Sequence, residues 1–163
     1  MKQAFSVFAG VLFIVSFAAC NLSKYPIDDP AVVKIDARLL GAWKGKHKHE
    51  KSDLYILTKY NDYEYSILAR DKKKTKEEHY NGFLSEVGGV RFLNIYSKDD
   101  TEKRYLFMKL IEINEAGNKL KVSCVNDTTM QYFTSAADVR QQITRNLNTP
   151  DFYGDTVNLY KVK

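Results

Sequence analysis

Few side chains in this sequence are placed to do chemistry, and the histidines come first. His47 and His49 stand two apart in "GKHKHE", a spacing that puts both imidazoles on one face of an extended strand. With His79 or Glu78 brought up from a second strand, they would make a zinc or copper site. The competing reading leaves both at a rim, partly solvated among Lys44, Lys46 and Lys48. Cys124 lies in "KLKVSCVNDTT", where no histidine stands near to act as its base. A buried, apolar thiol is the simpler reading of it. The chain has no Gly-x-Ser-x-Gly elbow, no glycine-rich phosphate loop and no Cys-x-x-Cys. It therefore reads as non-catalytic, with no cofactor. The run "RDKKKTKEEH" sets Lys72, Lys73, Lys74 and Lys76 against Glu77 and Glu78. That is either a solvated hairpin tip or a contact for lipid phosphates or an acidic partner.

The remaining chemistry is at the N-terminus. Lys2 is the only charge before Lys24, and residues 4–19, "AFSVFAGVLFIVSFAA", are apolar or small. A bilayer helix needs about 20 apolar residues. This shorter run, ending in small residues, fits the core of a secretion signal better than an uncleaved anchor helix. The small residues meet Cys20. "FAAC" resembles the lipobox of bacterial lipoproteins, with Phe17 at the position where Leu is commoner. The resemblance implies that residues 1–19 are a signal peptide and that the Cys20 sulfur takes a diacylglycerol. The freed amino group would then be acylated, with palmitate or a similar chain. Several acyl chains anchor stably where one does so only reversibly. Asn21, in place of an Asp, leans the address towards the outer membrane of a cell envelope. Residues 20–35 then read as the lipidated cysteine and a tether, stiffened by Pro26 and Pro30 and kept wet by Asp28 and Asp29, standing off without packing.

Removing residues 1–19 from 163 leaves 144, enough for a single domain, placed at 36–163. The signal takes only Lys2 from a net charge of +5, leaving +4. The charges are interspersed, with no basic stripe of the kind that reads nucleic acid.

These residues must be positioned by strands. From residue 41 the period is two: Trp43, Gly45, His47 and His49 on one face, lysines on the other. Seven more runs follow, at 53–59, 62–70, 78–86, 90–97, 103–113, 119–126 and 156–162. They are rich in Tyr, Phe, Ile, Leu and Val and punctuated by "YND", "GG", "SKDD" and "EAGN". The spacing predicts one exception, an amphipathic helix in "TSAADVRQQITRNLNTP". There Ser135 is the cap, Val139, Ile143 and Leu147 form the apolar stripe, and Pro150 is the stop. The fold class expected is all-β (mainly): an antiparallel up-and-down barrel of eight strands, with the helix before the last strand laid on the sheet or across a barrel end.

"IDARLLGAWKG" resembles the first motif of lipocalins, in which an Asp precedes Gly-x-Trp on the opening strand. The resemblance implies a barrel whose floor is plugged by Trp43, with Asp36 and Gly41 beside it. Lys161 or Lys163 on the closing strand would stand where an Arg caps the indole. No Thr-Asp-Tyr turn lies mid-chain. The function expected is non-catalytic binding of an amphipathic small molecule or lipid, with Trp43, Tyr63, Tyr65, Tyr105 and Phe107 lining the site. The alternative is an envelope scaffold whose filled barrel presents loops to a protein partner.

Overall fold

A computed structural model describes residues 22–45, 53–70 and 77–162. The expectations placed on residues 1–19, Cys20, His47, His49 and the lysines at 72–76 lie outside the described residues.

Eight strands close into one barrel: β1 (Gly41–Gly45), β2 (Leu54–Lys59), β3 (Glu64–Arg70), β4 (Glu77–Val87), β5 (Val90–Ser97), β6 (Tyr105–Ile113), β7 (Lys119–Val125) and β8 (Tyr153–Lys161). Every neighbour in the chain is an antiparallel neighbour in the sheet. The ring shuts where Trp43 faces Lys161. Closure pairs every strand with two neighbours, so the sheet has no edge strand. The turn at Gly88 and Gly89 needs glycine, because both residues have positive φ (57° and 77°). This is the hairpin geometry that two small residues between strands announce.

Register fixes which side chains enter the barrel, because residues paired across antiparallel strands share a face. From Trp43 the inward row runs through Tyr55, Ala69 and Glu78. A second row runs through Ile67, Tyr80 and Ser97, and a third through Leu84, Leu93, Met108 and Cys124. The inner core gathers Trp43, Tyr55, Leu57, Tyr65, Ile67, Leu84, Leu93, Ile95, Leu106, Leu120, Val122 and Leu159.

A second core lies outside the barrel wall. Val87, Phe92, Phe107 and Val125 point outward from β4–β7 and are buried under helix α1 (Ala136–Arg145), Met130, Phe152 and Ile27. The helix starts as its sequence predicts, with the Ser135 hydroxyl accepting from the Asp138 N–H at 3.1 Å. Val139 and Ile143 are fully buried. The helix ends at Arg145, with the Asn146 N–H reaching the carbonyls of Gln142 and Ile143. Leu147 lies in the turn beyond yet still packs on the outer cluster. Pro150 opens a separate 3-10 turn (Pro150–Phe152) and is not what ends the helix.

Residues 22–35 do not stand off as a free tether. Ser23 is fully buried and Ile27 is 1% exposed. The Ile27 N–H donates to the Asn94 Oδ1 at 3.0 Å, Asp28 pairs with Arg140, and the Ile35 N–H reaches the Asp62 carbonyl at 3.0 Å. The segment is a strap packed along the wall. Its charged and proline residues suggested solvent, but Ser23 and Ile27 supply buried anchors between them.

Candidate functional site

One end of the barrel is a built floor. Residues Ala37–Leu39 form a single 3-10 turn, capped by Asp36, whose carboxylate accepts from the Arg38 N–H at 3.0 Å. The same carboxylate takes the Arg38 Nη2 and the Arg91 Nη1, each at 2.6 Å. The Arg38 guanidinium chiefly, and Arg91 after it, hold the Asp36 carboxyl well below the usual carboxylate range, against the opposing effect of burial. Leu39 from this turn drops into the core, and the Trp43 Nε1–H donates to its carbonyl at 2.8 Å. Lys161 covers the indole: its Nζ lies 4.9 Å from the ring centroid and donates to the Arg38 carbonyl at 2.9 Å. The lipocalin resemblance places a cationic cap there, and Lys161 fills that position.

Tyr65 belongs to the same floor. Its side chain is fully buried, and its hydroxyl both accepts the Asp36 N–H at 2.6 Å and donates to the Asp36 carbonyl at 3.2 Å. Burial pushes its phenol up to about 12. The hydroxyl therefore fastens the strap to the barrel and is not turned towards an opening.

Above the floor lies a cavity of about 50 Å³, measured as the space open to the centre of a water molecule. A single water needs about 10–15 Å³ on that measure. The wall is apolar side chain, including Leu57, Ile67, Leu93, Met108 and Leu159, with Trp43 and Leu39 at its base. Tyr55, Ala69 and Tyr80 line it too, each close to the opposite end of its strand. There the Tyr80 hydroxyl donates to the Glu78 Oε2 at 2.6 Å. Burial first, then the bond to Glu78 and its charge, raise the Tyr80 phenol above its ordinary value. The cavity surface is wholly apolar, and the Tyr80–Glu78 pair stands beside its wall towards the upper end.

The expected ligand residues divide. Trp43 lines the cavity and Tyr65 supports its floor. Tyr63 sits half-buried in the turn between β2 and β3, its N–H bonded to the Asn61 Oδ1, and does not reach the cavity. Tyr105 and Phe107 point the other way, into the outer cluster. The alternation of "KRYLFMKLIEI" could not give the phase of that strand because both its faces are covered: Leu106 and Phe107 are both buried. Leu106 and Met108 are the inward pair. Tyr55, Ala69 and Tyr80 were missed, although carrying the phase of Trp43 through the hairpins would have found the first two.

His79 is exposed on the outward row of β4, opposite Leu68. Among the described residues no group of three or more His, Cys, Asp or Glu side chains could hold a metal ion. Cys124 is half-buried and disulfide-bonded, which corrects the expectation of a lone buried thiol. Among the described residues no helix is long and apolar enough to cross a membrane.

No protein-family model, curated protein or solved structure matches this chain. The class rests on architecture: a closed, eight-stranded, antiparallel up-and-down barrel with one helix before the last strand, consistent with a lipocalin-like barrel.

Proposed function

We propose that this is a bacterial lipoprotein, anchored in the cell envelope through acylated Cys20, that binds the apolar part of an amphipathic small molecule or lipid inside its barrel. The apolar cavity between Trp43 and Tyr80 carries this reading. Its narrow bore suits a thin occupant, such as the end of one acyl chain, with the polar part left near Glu78 and Tyr80. No nucleophile or metal cluster is needed for such a task. The outer-membrane address is supported by "FAACN" alone.

The cysteines put a condition on this. The chain has two, Cys20 and Cys124. A disulfide closed within one chain would use both sulfurs, and a thioether on Cys20 excludes it. The lipid reading therefore requires Cys124 to be reduced, or joined to some other thiol, in the mature protein.

Intact mass of the mature chain from its own membranes, before and after reduction, tests the anchor. Acyl mass that disappears in Cys20→Ser supports it, and a plain 20–124 disulfide refutes it. Native mass spectrometry of the released barrel tests the binding. An amphipathic molecule carried from the cell supports it. A barrel that is always empty favours the second reading, a scaffold presenting loops to an envelope protein, for which the small size of the cavity speaks.

A further inference from the structure

We propose that the barrel is held with its upper end, the end opposite the Trp43 floor, against the bilayer, so that the cavity exchanges its occupant directly with the lipid surface. This rests on the anchor at Cys20 proposed above and goes beyond it, since an anchor alone sets no orientation.

The strap supplies the orientation. Ser23, three residues after Cys20, is fully buried and exchanges two backbone hydrogen bonds with Tyr105, N–H to carbonyl at 2.9 Å and the reverse at 2.7 Å. Tyr105 is the first residue of β6 and so lies at the upper end. Leu22 packs on the inner core. From there Ile27, Asp28 and Ile35 hold the strap along the wall to the floor. The first fixed point after the anchor is thus at the upper end, and three extended residues span at most about 11 Å. β6 runs nine residues, Tyr105–Ile113, towards the floor. At about 3.4 Å per residue and a strand tilt near ~40°, the floor lies roughly 20 Å further along the barrel axis. A sulfur carrying acyl chains sits at the bilayer surface, so the upper end is drawn to it and the floor is carried away.

The test uses the acylated mature chain, in a Cys124→Ser background, in vesicles of phosphatidylethanolamine and phosphatidylglycerol containing a trace of rhodamine-headgroup lipid. A donor fluorophore is attached through Glu102→Cys, exposed in the upper connection between β5 and β6, or through Glu115→Cys, exposed in the floor turn between β6 and β7. Transfer from position 102 should exceed that from position 115 by about threefold or more, given the ~20 Å offset. Inserting about twelve Gly/Ser residues between Asn21 and Leu22 should bring the two towards equality. Equal transfer in the native chain, or stronger transfer from 115, overturns the orientation while the anchor stands. An intact mass without acyl chains overturns the anchor and the orientation with it.

Discussion

Filling the cavity should strengthen the barrel and block the binding proposed for it. Ala69 is 9% exposed, lines the cavity, and is paired with Tyr55 on one side and Glu78 on the other. Ala69→Leu adds three carbons to a space that already admits more than one water centre. At about 0.8 kcal/mol per buried CH₂, the gain is at most about 2.4 kcal/mol. Overpacking a site with no void would instead cost about 1–3 kcal/mol. The two cases thus differ in sign. With a urea m-value near ~2 kcal/mol/M, the expected gain is a rise of roughly 1 M in the unfolding midpoint at constant m. The assay is urea unfolding of the mature chain carrying Cys20→Ser, followed by titration with a dansylated undecanoic acid as a probe. Ala69→Leu should raise the midpoint and cut probe affinity at least about tenfold, or ~1.4 kcal/mol. Tyr63→Ala, in a turn away from the cavity, should leave probe affinity as it is. A lowered midpoint would refute the cavity. A raised midpoint with unchanged affinity would refute its role as the binding site.

Other outcomes follow from the floor, the strap and the β4–β5 turn. Asn94 is fully buried and holds the Ile27 N–H, the Phe83 carbonyl and the Ser85 hydroxyl. Asn94→Leu should cost about 2–4 kcal/mol through the polar groups left unpaired, and trypsin should then cut faster at Lys24 and Lys34. Lys161→Gln should remove about 1 kcal/mol of cation–π attraction and shift the emission of Trp43, the only tryptophan, as a spectrum before denaturation would show. Asp36 has a folded pKa below its unfolded value, so its contribution is complete above about pH 4 and fades as pH falls. Asp36→Asn should therefore flatten the acid limb of a stability-versus-pH curve. Tyr65 has the opposite sense: its folded pKa is raised to about 12, so the stability linked to it is whole below pH ~10 and is lost as pH climbs towards 12. Tyr65→Phe should remove that alkaline loss, measured by circular dichroism. Gly88→Ala should destabilise the β4–β5 turn, because φ is 57° there and a Cβ would lie 2.7 Å from Leu147, an effect that thermal melting would register as a lower Tm.

How far the sequence could be read depended on whether one face of an element was wet. β1 and β3 alternate because their outer faces carry Lys44 and Glu64. β5 and β6 do not alternate, since α1 and the strap cover their outer faces. There the sequence could not say which of Leu106 and Phe107 looks inward, and two of the five expected ligand residues, Tyr105 and Phe107, were assigned to the wrong side. The strap misled for the converse reason: Lys24, Tyr25, Asp29 and Val32 are exposed, and they hide the buried Ser23 and Ile27 between them.

The sequence alone determined the eight strands, their order and the capped helix before the last of them, each written locally in period, turn residues and spacing. The floor positions of Asp36 and Trp43 came from the lipocalin resemblance, which left Lys161 and Lys163 both open as the cap. The tertiary structure decided that a cavity remains above Trp43, that the helix and strap build a second core outside the wall, and that Tyr65 binds the strap. Those depend on register and on which surfaces meet. Such pairings join residues tens of positions apart, and no local pattern encodes them.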